Sequence, residues 1–288
     1  MLQGCLSCEH DHSFDIRDGI PRFVPAESYT SSFGFEWARY ARTQLDSAGH
    51  GGASEERLQA SLDFPLADLG GKLVLDAGCG MGRFSEVAAK YGATIVAADM
   101  SRAVDVARRN LAQSQTVDFV QADLGALPFR PRSFDLVFCL GVLHHTPDAH
   151  QTFLKVARMV KPGGKYSITV YSAYNRTYVV NSRFWRSITT RLPLPLLHVL
   201  SYAAAPLYYL WTLPGIGLIF RSLAFISLER DWRWRVLDTF DWYSPRYQSW
   251  HTHLEVFGWF REAGFSELTP LQPSISVIGR APESVSEP

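Results

Sequence analysis

The chain has 288 residues, 47% of them hydrophobic, 13% aromatic and 19% charged, which supports a sizeable core and excludes a largely disordered polymer. Its 28 Lys and Arg balance 28 Asp and Glu, so it carries no basic footprint for nucleic acid. Met1 to Cys5 has neither the basic start nor the apolar segment of a secretory signal. Two of the four cysteines, Cys79 and Cys139, fall at apolar strand ends and read as small buried hydrophobes, so a reducing, cytoplasmic setting is expected.

Residues 1–28 open with Cys5-Leu6-Ser7-Cys8, then His10, His12 and a Gly19-Ile20-Pro21 turn. A lone C-x-x-C is half of a structural zinc site, which wants four ligands. Either His10 and His12 complete it with a strained geometry, or the segment is a plain β-hairpin. Ser32 to Leu45 (Phe33, Phe35, Trp37, Tyr40) and Glu55 to Leu62 read as two helices. The small-residue loop Ser47 to Ser54 between them is suited to gating a site.

Leu73 to Ser85 reads as a buried strand, a turn with glycine at 78, 80 and 82, and the start of a helix with Phe84, Val87, Ala88 and Tyr91 on one face. Such a turn brings backbone N–H groups and a helix N-terminus to a crevice. The dinucleotide fingerprint G-x-G-x-x-G/A is not met in either frame. A second strand, Ala93 to Met100, ends at Asp99, and an acid there can accept both hydroxyls of a ribose. Ser101 is suited to cap the helix Ala103 to Leu111. The third strand, Val117 to Ala122, runs into Asp123 and Leu124. The fourth, Phe134 to Leu140, runs into Leu143-His144-His145-Thr146-Pro147-Asp148, where open α/β sheets place ligands. A helix over Phe153 to Val160 stops at Lys161-Pro162-Gly163-Gly164 before a fifth strand, Lys165 to Tyr171.

The Asp76-x-Gly78-x-Gly80-x-Gly82 run, the acid at 99, the acid at 123, the Leu-His-His-x-Pro-Asp run and the Lys-Pro-Gly-Gly turn resemble class I S-adenosylmethionine-dependent methyltransferases of the bacterial small-molecule type. The N-terminal cysteine segment resembles the second half of a zinc ribbon found ahead of many of these enzymes. Phe33-Gly34-Phe35-Glu36-Trp37 resembles their cofactor-covering cap. The resemblance implies an α/β, Rossmann-like, doubly wound seven-stranded sheet, mostly parallel with one antiparallel strand. It also implies S-adenosylmethionine as cofactor. Gly78, Gly80, Gly82 and the backbone of Leu140 would meet the methionine tail, and Asp99 the ribose. Met100 would pack on the adenine, with Asp123 and Leu124 reading its edge. Asp76 belongs to the same motif and reads better as the residue that orders the loop. His145, with His144 second, is the candidate general base, and a hydrogen-bonded structural pair is the competing account. No metal ligand is assigned to the site.

Residues 172–250 form an insertion. Leu192 to Phe220 contains no charged residue and is bounded by arginines on both sides. Pro193, Pro195, Pro206, Pro214, Gly215 and Gly217 break any single spanning helix, so two short helices, 196–210 and 216–228, are expected. They would roof the pocket as an apolar helical lid or make peripheral membrane contact through 192–220, and both readings favour a small, apolar acceptor. The helix Leu254 to Ala263 and strands Phe265 to Leu271 and Ser274 to Arg280 close the core over 251–288, as cap and core open it over 29–171. A non-catalytic scaffold that merely binds the cofactor is the rival function.

Overall fold

The structure, a computed structural model, describes residues 3–9, 11–24, 30–49, 51–272 and 274–283. An N-terminal antiparallel sheet comprises β1 (Gly4–Ser7), β2 (Ser13–Arg17) and β3 (Ile20–Pro21). Cys8 Sγ lies 3.3 Å from His12 Nδ1 and Cys5 Sγ lies 2.7 Å from Ser13 Oγ. No group of three or more His, Cys, Asp or Glu among the described residues could hold a metal, and His10 lies outside them. Two short helices follow, α1 (Ser31–Arg39) and α2 (Ala53–Ala60).

The core then alternates strand and helix: β4 (Leu73–Ala77), α3 (Arg83–Lys90), β5 (Thr94–Asp99), α4 (Ala103–Asn110), β6 (Val117–Gln121), β7 (Phe134–Leu140), α5 (Ala149–Ala157) and β8 (Val160–Val170). The insertion carries α6 (Arg176–Thr189), α7 (Leu194–Ser201), α8 (Ala204–Trp211), α9 (Ile216–Leu223) and α10 (Trp232–Tyr243). The chain closes with α11 (His253–Glu262), β9 (Ser266–Leu271) and β10 (Ile275–Arg280).

Seven strands form one sheet in the order β6-β5-β4-β7-β8-β10-β9. β10 alone runs antiparallel to its neighbours, so the mostly parallel sheet with one reversed strand is as expected. The central strands are buried on both faces because helices cover both, while the edge strand β9 stays largely open. Val87 and Ala88 of α3 and Val104 and Ala107 of α4 pack on one side. Phe153 and Val156 of α5 and Val256, Trp259 and Phe260 of α11 pack on the other. Strand order reverses about β4, which opens a crevice at the carboxyl ends of β4, β5 and β7. The N-terminal sheet docks on the β6 edge: Phe23 N–H donates to the Gln121 carbonyl at 2.8 Å, and Arg22 pairs with Asp105. That contact covers a sheet edge that would otherwise be free to pair elsewhere.

α1 stops at Arg39, six residues short of the expected Leu45, and three further boundaries depart from the sequence expectation, each for a local reason. α5 starts at Ala149 because the Asp148 side chain accepts from Gln151 N–H at 3.0 Å and caps it. β8 begins at Val160 rather than Lys165, with a bulge between Phe134 and Leu136 of its partner. Gly164 permits this, since a Cβ there would lie 2.9 Å from the Asp135 carbonyl oxygen. The insertion holds five helices, with Pro193 preceding α7 and Pro214 separating α8 from α9. Asn175 caps α6 by accepting from Tyr178 N–H at 3.0 Å, and Asp231 caps α10 by accepting from Trp234 N–H at 2.8 Å. Arg235 of α10 then ties the insertion together. Its guanidinium donates to the carbonyls of Glu229 at 2.6 Å and Arg230 at 3.0 Å, and lies 3.8 Å from the Tyr208 ring centre. Among the described residues, no helix is long and apolar enough to cross a membrane.

Gly78, at the end of β4, has φ +90, and a Cβ there would lie 2.4 Å from a Val142 methyl. The glycine turn and the loop after β7 therefore interlock. Gly78→Ala is expected to cost about 1–3 kcal/mol through strain at positive φ and this clash. Urea unfolding of the purified variant measures it, and Val142→Ala in the same chain should return part of the loss.

Candidate functional site

A cavity of about 610 Å³ lies over the carboxyl ends of β4, β5 and β7. Its walls include Gly78, Gly80, Asp99, Met100, Asp123, Leu124, Leu140, His144 and His145, nine of the eleven residues singled out from the sequence. The other two, Asp76 and Gly82, lie beneath it.

The glycine turn is held from below and from the side. Asp76 is buried and accepts from the Ser85 hydroxyl at 2.6 Å, tying the end of β4 to the first turn of α3. Gly82 sits at the N-terminus of α3 against Ala107 and Leu111. Both therefore shape the loop from behind. Gly78 and Cys79 donate their N–H groups to the Ala98 carbonyl at 2.7 and 3.0 Å. The Asp99 carboxylate accepts from Gly80 N–H at 2.9 Å with one oxygen. With the other it accepts from the backbone and hydroxyl of Ser101 at 2.8 and 2.7 Å. Asp123 shapes the next turn by accepting from Gly125 N–H at 2.8 Å.

The histidines have distinct environments. His145 Nδ1–H donates to the Tyr247 carbonyl at 3.1 Å, which fixes the tautomer and leaves Nε2 as an acceptor. Burial pulls its pKa down to about 4, so the ring is neutral at pH 7. His144 stacks on Tyr171 with ring centres 3.8 Å apart, and both of its ring nitrogens are buried without a hydrogen-bond partner. Burial, reinforced by His145, holds its pKa well below the ordinary range.

The structure adds wall residues that sequence reasoning missed. Glu36 and Trp37 come from α1, Arg57 from α2, Arg83 from the start of α3, and Trp234, Asp238, Asp241 and Trp242 from α10. Glu36 is 1% exposed, and its Oε2 has no hydrogen-bond partner. Burial, then Asp241 and Asp238, raise its pKa well above the carboxylate range. Burial also pushes Asp238 up to about 7 and Asp241 up to about 6. Glu36 sat within the Phe-Gly-x-Glu-Trp run, and Asp238 and Asp241 share one helix face at i and i+3. Their helix was the missing piece. Arg83 is held by Ser54 Oγ at 3.2 Å and Gln44 Oε1 at 2.9 Å, so the segment before α2 sits against the glycine turn.

A seven-stranded sheet of this order, with a glycine turn after its central strand and an acid at the tip of the next, defines the class I methyltransferase fold. Residues 75–168 match the family described as a methyltransferase domain. Among curated proteins, the ubiquinone biosynthesis O-methyltransferase of Coxiella burnetii (strain Dugway 5J108-111) is 38% identical over 112 residues, 38% of this chain and 47% of that protein. The enzyme of the same name from Thiobacillus denitrificans is 39% identical over 118 residues, 40% of this chain and 50% of that one. The chain thus spans about half the length of the curated relatives it matches. Two solved structures share the fold. One is the Haloferax volcanii complex of the Trm112 methyltransferase activator with a putative methyltransferase, with TM-score 0.53, 17% identity and coverage of 88% of this chain and 100% of that one. The other is the magnesium protoporphyrin IX methyltransferase of Synechocystis PCC 6803 with bound SAH, with TM-score 0.50, 19% identity and coverage of 89% and 97%.

Burial pushes the Asp76 carboxyl up to about 7, against an ordinary value of 3.8, while the Ser85 hydroxyl works in the opposite direction. The native state therefore holds a proton between these values that the unfolded chain has released. Its contribution to stability is fully present below pH 4 and is lost as pH rises towards 7. Asp76→Asn removes this titration, so the urea midpoint should fall less steeply from pH 4 to 7 than in the wild type.

Proposed function

We propose that the chain transfers a methyl group from S-adenosylmethionine to a small acceptor with an apolar body, by in-line displacement. The observation that carries this reading is that one cavity gathers the glycine turn, the acids at 99 and 123 and a neutral imidazole with a free acceptor nitrogen. That donor set fits a nucleoside with a charged amino-acid tail. Asp99 would accept the ribose hydroxyls, Met100 would pack on the base, and Asp123 with the Leu124 N–H would meet its edge. Gly78, Gly80 and the Leu140 backbone would take the tail, with Arg57 and Arg83 supplying countercharge to its carboxylate. When bound, the donor supplies a methyl group already activated by a sulfonium.

The protein's own part is alignment, exclusion of water and removal of a proton. His145 Nε2 would receive the proton of an acceptor hydroxyl. Its low basicity suits a proton that becomes acidic only as the oxygen is methylated. Relatives named as O-methyltransferases of ubiquinone biosynthesis support an oxygen acceptor. The insertion 172–250 would act as the lid, with α10 bringing Trp234 and Trp242 over the acceptor side. A second reading places the lid at a membrane surface on the cytoplasmic side. Large apolar residues stand exposed on α6 to α9, among them Phe184, Val199, Tyr209, Leu218 and Ile219.

Calorimetry with S-adenosylmethionine tests the donor site directly. Asp99→Ala should weaken binding by about 10-fold or more, the worth of hydrogen bonds to a charged group. Unchanged affinity, or preference for a nicotinamide dinucleotide, would overturn the assignment. His145→Gln should leave donor affinity intact while lowering kcat on a hydroxylated acceptor by about 100-fold, the lower end of general-base contributions. Donor binding with no turnover across hydroxylated apolar acceptors would instead favour a scaffold.

A further inference from the structure

A second cavity, of about 480 Å³, is lined by Arg183, Arg186, Thr190, Arg246, Tyr247, Gln248, Ser249 and Trp250, and shares no residue with the donor cavity. It contains three guanidinium groups and no carboxylate. None of the three arginines forms an ion pair among the described residues. Arg183 lies 5.4 Å from the Trp250 ring centre, and the buried Trp250 indole N–H has no acceptor. Arg186 is 7% exposed and already donates to the carbonyls of Trp242 and Pro245, so it anchors the wall. Asp241 acts on Arg186 from a distance without pairing with it; a buried donor without an acceptor, beside Arg183 and Arg246 without ion pairs, calls for an oxyanion. Planar guanidinium groups favour phosphate.

The neighbouring surface says what the oxyanion is attached to. On α6, which supplies Arg183 and Arg186, Val180, Phe184 and Ile188 form an exposed apolar stripe at i, i+4 and i+8. Leu196, Val199 and Leu200 of α7 are exposed as well, as are Leu218, Ile219 and Leu223 of α9, the helix that packs on α6. A free phosphate needs no such surround, whereas a lipid presents its phosphate beside hydrocarbon.

We propose that the Arg183–Arg186–Arg246 cavity binds the phosphate of an anionic phospholipid while the outer faces of α6, α7 and α9 rest on the bilayer. The same wall reaches the active site. Tyr247 offers its carbonyl to His145, and Ser249 N–H donates to the His144 carbonyl at 2.9 Å. Occupation of the cavity would thus order the segment that orients the catalytic imidazole. This goes beyond the membrane-surface reading by naming the headgroup chemistry and the residues, and it is independent of donor binding.

The test is co-sedimentation of the full chain with vesicles of phosphatidylglycerol and phosphatidylcholine, and with vesicles of phosphatidylcholine alone. The wild type should pellet with the former and far less with the latter. Arg183→Gln with Arg246→Gln should lower the partition coefficient roughly 30-fold, since each basic side chain at an anionic surface contributes about a factor of five. Arg176→Gln with Arg233→Gln, outside the cavity, should cost clearly less. Trp250→Phe, which keeps an aromatic ring but removes the five-membered ring that carries the N–H, should also weaken binding. Calorimetry with S-adenosylmethionine should be unchanged in all of these variants, which keeps this test separate from the donor site. Equal losses for the two arginine pairs, or no preference for anionic vesicles, would overturn the proposal. So would release from the vesicles by millimolar inorganic phosphate at constant ionic strength, which would assign the cavity to a free oxyanion.

Discussion

The Asp99 carboxylate is the joint on which the site depends. One oxygen grips the Gly80 N–H and the other grips Ser101, so a single side chain fastens the glycine turn of one strand to the turn leaving the next. Three charge-assisted hydrogen bonds on one partly buried carboxylate are strong individually and stiffen the loop they share. The group that would read the ribose is thereby also the group that shapes the cradle for the tail.

Around that joint the cavity carries both signs of charge, with Asp238 within electrostatic reach of Arg57 and Arg83. Arg57 and Arg83 approach from the glycine-turn side, while Glu36, Asp238 and Asp241 gather from α1 and α10. Burial raises all three acids, so at neutral pH the trio carries less than its formal charge. A set of acids with shared protons can offer both donors and acceptors to a hydroxylated acceptor. It can do so without the desolvation cost of three full charges. Such perturbed clusters beside a cleft are where functional chemistry concentrates.

The core was legible from the sequence because its signals are local. Short apolar runs bounded by turns marked the strands at 73–77, 94–99, 117–121 and 134–140, and the family resemblance, applied to the residues at and after their ends, marked Asp99, Asp123 and the histidines. The insertion was read less well. α6 and α10 begin at side-chain caps, Asn175 and Asp231, that were available in the sequence. Their arginines and tryptophans, though, obscure the apolar stripe that announces a helix. Missing α10 meant missing Asp238 and Asp241, because nothing in a linear reading carries residues so far along the chain back over the first loop. Asp76 and Gly82 are not among the residues that line the cavity, and Asp76 instead ties the loop through Ser85. They stand inside the right motif, but a motif does not say which side of a turn faces the ligand and which faces the fold.

The bond from His145 to residue 247 ends on a main-chain carbonyl rather than on a side chain. Every amino acid offers that oxygen, so the imidazole's proton stays on the same nitrogen whatever side chain occupies position 247. The tautomer is thus protected against point substitution at its own partner. It is exposed only to changes that move the backbone of the 244–250 segment, which places control of the imidazole in the path of the chain and not in its lettering.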